Sequence, residues 1–473
     1  MVEIEKYSSK SSLNNNVKVR TYADIVEYLD NHWNIPLENN LNRIKKLDAI
    51  FDNVSKKVNT ILVAGTNGKS ITINLATKLL KSEGFKVGSF YSPHILNYNE
   101  RLSINNENIS NKNFTDIANN VLSKIDDLPI QFHSQEILTI MSLLYFFENK
   151  VDIAILEVDK GGEFNPVNVC HAKIAAITRV TDLDNINSNN NLTDIIKDYA
   201  GIIKENTIVI SGDQVKYNLQ LIENISNQRM AKWAMPIRKL APLSYPFEQL
   251  HGRCAALAER LSSIYVENYC DKDSLILADS LLIKNNVQRG RPTLEAKKKL
   301  ELNPKKTLEQ FWKEESNELP GRFQILDKEK PTILLDNASN IDAFKNTLLG
   351  IRLLHYQKQL KGLVIIVASI DQKLYSEEFV KSIRYFFKKN SGQLFICPID
   401  NLVPGTYEDN SWDIDKVTND IKSMKIKARS FKSFEDAFEA AKKIVDERNG
   451  LIAITGSKSI INKYLKSRGI KKV

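Results

Sequence analysis

Cysteine is scarce in this chain. Cys170, Cys254, Cys270 and Cys397 are its four cysteines. They are scattered without ligand spacing, which gives no zinc signal and fits a reducing cytosol. Long hydrophobic runs are missing as well. Stretches such as Leu363 to Ala368 fall far short of the ~20 apolar residues that span a bilayer. The first twenty residues are polar, carry Glu3 and Glu5 and lack an apolar core. A disordered tail is expected over 1–20, not a signal peptide. These absences lead to the expectation of a cytoplasmic protein that does not engage a membrane.

What is present is a chain of 473 residues with ordinary apolar content, 42%, too long for one core. The net charge of +9 suits anionic small substrates. Much of the excess lies between Lys284 and Lys313, in Arg289, Arg291, Lys297 to Lys299, Lys305 and Lys306. That stretch holds Phe311 and Trp312 but no nucleic-acid module, and reads as a solvated helical surface. No nucleic-acid partner is expected.

The chemistry enters at residues 60 to 70, Thr-Ile-Leu-Val-Ala-Gly-Thr-Asn-Gly-Lys-Ser, followed by the helical run Ile71 to Ser82. An apolar strand, a glycine-rich loop and a helix start come in order. Backbone N–H groups of such a loop cradle phosphate oxygens, and the helix N-terminus adds positive potential. Gly65, Thr66, Asn67, Gly68, Lys69 and Ser70 are therefore candidate nucleotide-binding residues. Lys69 would reach the terminal phosphates, and the Ser70 hydroxyl would bind Mg²⁺. A full Walker pattern would place glycine at Val63, so this is a shorter variant. The expected cofactors are ATP and Mg²⁺.

Periodicity and apolar runs give the organisation. Helical spacing covers Tyr22 to Trp33, Leu41 to Phe51, Phe114 to Ile125, Gln135 to Phe147 and Phe247 to Tyr265. Strands are expected at Lys86 to Tyr91, Val151 to Val158, Ile174 to Thr178 and Thr207 to Ser211. A second set begins near Leu319, with strands Thr332 to Leu335, Gly362 to Ala368, Gln393 to Cys397 and Leu451 to Thr455. Alternating strands and helices imply mostly parallel sheets. The expectation is an α/β protein with a P-loop ATP-binding domain over 21–318 and a smaller Rossmann-like α/β domain over 319–473. Residues 271–318 read as an insertion or linker. Asn14 to Asn16 and Asn187 to Asn191 read as loops.

Several motifs now fall in order. After the phosphate loop come Ser92-Pro93-His94-Ile95 and Asn99-Glu100-Arg101-Leu102-Ser103-Ile104-Asn105. Gln135-Glu136-Ile137-Leu138-Thr139, Leu156-Glu157-Val158 with Gly161-Gly162, and Ala200-Gly201-Ile202-Ile203-Lys204 follow. Pro320-Gly321-Arg322-Phe323, Asp336-Asn337-Ala338-Ser339-Asn340 and Ile454-Thr455-Gly456-Ser457 close the series. Together they resemble folylpolyglutamate synthase and dihydrofolate synthase, members of the Mur ligase superfamily. The resemblance implies the two-domain fold and an ATP-dependent ligase. That enzyme would add L-glutamate to a folate or dihydropteroate carboxylate through an acyl phosphate. A monomer is expected. It implies catalytic roles for Lys69, Glu157 and Arg322. Ser70 and Glu157 would hold Mg²⁺, and Arg322 and Asp336 would reach the phosphates and ribose from the second domain. His94 is open between a substrate-loop contact and a structural hydrogen bond.

The departures carry equal weight. Asn185 stands where the family has a histidine metal ligand, and Asp184 or Asp182 could substitute. Tyr199 replaces a lysine that becomes a carbamate in the family; a phenol cannot, and it is neutral at pH 7. Ser339 replaces a histidine, Glu163 an arginine, and Cys254 an asparagine on the adenine side. The first metal site is thus kept and the second altered. Two other functions stay open beside the ligase: a silent nucleotide-binding relative acting as scaffold or sensor, and a ligase for a different acid.

Overall fold

The computed structural model describes residues 19–37, 41–181, 191–236, 239–269, 308–314, 319–368, 374–399, 402–404 and 412–470. The expectations for the tail before residue 19, for Asp182, Asp184 and Asn185, and for most of 271–318 fall outside them.

Two sheets organise the chain. The first holds β1 (Thr60–Ala64), β2 (Val87–Phe90), β3 (Leu102–Ile104), β4 (Glu107–Asn108), β5 (Ile153–Glu157), β6 (Ile174–Ile177), β7 (Ile208–Ser211) and β8 (Lys232–Trp233). Its order is β4-β3-β2-β5-β1-β6-β7-β8, parallel except where β3 pairs with β2 and β4. The second holds β9 (Gln324–Leu326), β10 (Thr332–Asp336), β11 (Leu363–Val367), β12 (Gln393–Ile396), β13 (Ala428–Ser430) and β14 (Leu451–Thr455). Its order is β13-β12-β11-β14-β10-β9, with only β9 antiparallel. The α/β class expected from the strand–helix alternation is the one observed.

The central strands are apolar at successive positions because both faces are covered. Leu62, Ala64, Ala154 and Leu156 face one core, with Ile25, Leu47, Val121 and Leu138 from helices Tyr22–His32, Asn42–Ile50, Asn111–Ile125 and Ser134–Glu148. Their neighbours Ile61, Val63, Ile153 and Ile155 face the other core, with Leu75, Leu79, Leu257 and Leu261 from helices Lys69–Ser82 and Phe247–Tyr269. Helix Leu308–Glu314 joins this second core through Phe311 and Trp312. The second sheet repeats the two-period pattern: Leu334, Ile365 and Ala453 face one way, and Ile333, Ile366 and Ile454 the other.

The strand order creates the functional crevice. From β1 the chain crosses to one side to form β2, while β6 and β7 lie on the other side. β1 is the switch point, and in such sheets ligands bind beyond the carboxyl ends of the strands there. Among the described residues no helix is long and apolar enough to cross a membrane.

Candidate active site

The phosphate loop leaves β1 at the switch point. Gly65 and Gly68 have φ of 129° and 90°, a region that residues with a Cβ rarely enter. Helix Lys69–Ser82 starts directly after Gly68, so the loop's N–H groups and the helix N-terminus share one opening. Lys69 Nζ donates to Gly65 O at 2.7 Å, folding the ammonium back over its own loop.

Register brings the acid to the loop. β5 pairs with β1 so that Glu157 lies beside Val63. Glu157 is 3% exposed. The Ser70 hydroxyl donates to its Oε2 at 2.9 Å. Arg322 Nη2, from just before β9, donates to Ser70 Oγ at 3.1 Å. Three of the sequence candidates, 252 positions apart at the extremes, therefore meet in one cluster.

The second sheet makes a further bridge that the sequence did not suggest. Asn340 caps helix Ile341–Gln357 and accepts from Ala343 N at 2.9 Å. Its Nδ2 donates to Asn67 Oδ1 at 3.0 Å. Asn67 Nδ2 donates to Asp342 Oδ2 at 2.9 Å, and Asp342 Oδ1 pairs with Arg179 at 2.8 Å. Asn340 was visible within a motif, but Asp342 carried no signal beyond being an acid in a first helical turn.

Asp336 ends β10, is held by a hydrogen bond from Thr347 Oγ1 at 2.8 Å, and has its pKa pushed up to about 7, chiefly by burial. Arg322 opposes that shift. Tyr199, 4% exposed, lines the cleft, as do Thr66, Ser339 and Cys254. The cleft between the sheets measures about 620 Å³. Gly161 has φ of 63°, and Asp198 Oδ1 accepts from Gly162 N at 3.0 Å. Glu163 is exposed and shares the same carboxylate through its own N–H at 3.2 Å.

His94 resolves as structural. Arg101 Nε donates to its Nδ1 at 2.9 Å, which requires that nitrogen to carry a lone pair. Burial, reinforced by Arg101, holds the imidazole well below its usual pKa.

The donor set fits a magnesium nucleotide. Ser70 and Glu157 offer a hydroxyl and a carboxylate oxygen, the hard ligands Mg²⁺ takes. Among the described residues there is no group of three or more His, Cys, Asp or Glu side chains fit to hold a metal. The cradle is tight: a Cβ on Gly68 would lie 2.9 Å from Cys254 Sγ.

The fold and cleft define an α/β protein of two mostly parallel sheets with a phosphate loop at the switch point of the first. Comparison with known proteins narrows this. No protein-family model matches the chain. The dihydrofolate synthase/folylpolyglutamate synthase of Bacillus subtilis is 31% identical over 244 residues, covering 50% of this chain and 53% of that protein. The Escherichia coli enzyme of the same name is 24% identical over 326 residues, covering 67% and 69%. The chain thus spans about half the length of the first relative it matches. Mycobacterium tuberculosis folylpolyglutamate synthase complexed with ADP superposes with a TM-score of 0.73 at 19% identity, covering 95% of this chain and 98% of that one. The Yersinia pestis bifunctional enzyme with AMPPNP and Mn ion gives 0.70 at 20%, with the same coverage. The fold is that of the folylpolyglutamate synthases, and the sequence is similar to theirs, as its motifs indicated.

Proposed function

We propose that this protein is an ATP-dependent ligase that joins L-glutamate to the carboxylate of a folate or pteroate-type acid in the cytoplasm. Its two domains would be residues 21–318 and 319–473. The observation that carries the reading is the Ser70–Glu157–Arg322 cluster at the mouth of a P-loop, closed by a residue that directly precedes the second sheet. Similarity to synthases of that name supports the substrate class.

In this reading Gly65 to Gly68 bind the phosphates through backbone N–H groups. Lys69 exchanges its bond to Gly65 O for phosphate oxygen. Ser70 and Glu157 would hold Mg²⁺, which would supply charge neutralisation. Arg322 adds a fixed cation from the facing domain. An acceptor carboxylate oxygen attacks the γ-phosphorus, the bond to the β-phosphate oxygen breaks, and ADP leaves. The glutamate amine then displaces phosphate from the acyl carbon and loses its proton. The chain supplies orientation and charge, the two effects that dominate phosphoryl transfer.

Tyr199, buried in the cleft where the resemblance implies a lysine, favours a second reading: a relative that binds nucleotide without turnover. ADP release separates the two. The ligase should release ADP only when L-glutamate, MgATP and a pteroate or folate are all present, and Glu157→Gln should abolish it. No turnover with any acid, alongside intact MgATP binding, would favour the silent relative.

A further inference from the structure

Lys458 is a cation that the function above does not use. It is the first residue of helix Lys458–Ser467, reached from β14 through Gly456 and the N-cap Ser457. Thr455 at the end of β14 lies in register with Asp336, so the chain leaves the second sheet beside the cleft. Asn462, one turn on, donates Nδ2 to Ile95 O at 2.6 Å. The helix start is thereby seated on the 92–97 loop of the first domain. Lys458 lines the cleft together with Ser70, Ser92, Glu157, Asp159 and Arg322.

Three features make this lysine costly for the protein alone. It sits at a helix N-terminus, where the macrodipole disfavours a cation. Arg322 repels it. Its ammonium has one hydrogen bond among the described residues, a long one to Pro93 O at 3.5 Å. Burial and Arg322 lower its pKa to about 7, against the pull of Asp159 and Glu157. An anion between Lys458 and Arg322 would relieve all of this. Arg322 is bonded to Ser70, and Lys458, in the same cleft, interacts electrostatically with Arg322 and Glu157, on the side where the last phosphate of a nucleotide in the loop would lie.

We propose that Lys458 grips the terminal phosphoryl group of the nucleotide, opposite Arg322, and holds it during transfer. Lys458 is then a phosphoryl-binding residue contributed by the second domain. It would distinguish a triphosphate from a diphosphate. The inference rests on nucleotide binding at the P-loop, but needs no turnover to be read.

The test compares affinities for MgAMPPNP and MgADP by calorimetry in wild type, Lys458→Met and Lys458→Arg. Loss of one charge-assisted contact should weaken MgAMPPNP about tenfold or more in the methionine variant. MgADP should change less than about twofold, and the arginine variant should recover part of the preference. A parallel measurement on wild type needs no variant: acetylation of Lys458, followed by mass spectrometry, should be blocked by MgAMPPNP and not by MgADP. If both nucleotides weaken equally or neither does, or if both protect the lysine alike, Lys458 does not hold the terminal phosphoryl. If wild type binds neither nucleotide, the nucleotide reading falls and this inference with it.

Discussion

Alanine at Gly65 separates loop geometry from simple backbone strain. A Cβ there would lie 2.3 Å from Thr178 Oγ1 and 3.1 Å from Arg179 O. Thr178 cannot easily retreat, because its hydroxyl donates to Ala64 O at 3.2 Å. Arg179 O accepts from Thr66 N at 2.7 Å. The loop itself must therefore shift. Positive φ alone costs roughly 1–2 kcal/mol, and the overlap adds roughly 1–3 kcal/mol. A loop that relaxes outward when empty must be pushed back to accept phosphates. The overlap energy then reappears as lost affinity, about fivefold to a hundredfold at ~1.4 kcal/mol per decade. Gly84→Ala is the control. Gly84 also has positive φ, 91°, but nothing lies within 4 Å of its Cβ position. Both variants should melt below wild type, and calorimetric titration with MgATP should show weakening only in Gly65→Ala. Equal affinities for Gly65→Ala and wild type would refute the placement of phosphates in this loop.

Two further outcomes follow from buried charges. Arg43 Nε pairs with Glu136 Oε2 at 2.7 Å, with side chains 9% and 4% exposed, so Arg43→Ala should cost about 3–5 kcal/mol in urea unfolding by leaving the buried carboxylate without its cation; a loss under ~1 kcal/mol would contradict this. The Asp336 carboxyl, ordinarily near 3.8 as in the unfolded chain, is pushed up to about 7 in the fold, chiefly by burial. Between those values the native state holds a proton the unfolded chain has released, so this group's contribution to stability falls as pH rises across the window. Asp336→Asn should therefore melt progressively higher than wild type from pH 5 to pH 7.5, and a constant gap would argue against the buried acid.

Much of the fold was legible because the physics behind it is local. Central strands such as Thr60–Ala64 and Leu451–Thr455 are apolar throughout, and helices such as Asn111–Ile125 carry apolar residues at helical spacing. The short strands β3, β4, β8, β9 and β13 were not seen. They have two or three residues each, too few for a period to show, and they exist because a neighbour offers its edge. The same division holds in the site. Gly65 to Ser70 declare themselves because a strand, a loop and a helix are contiguous. The meeting of Ser70 with Glu157 depends on β1–β5 register, and that of Asn67 with Asp342 on how two sheets face each other. Neither can be read from spacing. Lys458 left one trace: a lysine at the first position of a helix opposes the dipole. Resemblance supplied Arg322 and Asp336, which composition and periodicity would have passed as surface charges.

Ligation through a phosphorylated acid is tested most directly by incubating the protein with MgATP, L-glutamate and dihydropteroate labelled with ¹⁸O in the carboxylate, and following the label. Ligation by the proposed route predicts one ¹⁸O in each released phosphate for every amide formed. Amide formation with unlabelled phosphate, or no amide from any pteroate or folate while MgATP still binds, would contradict it.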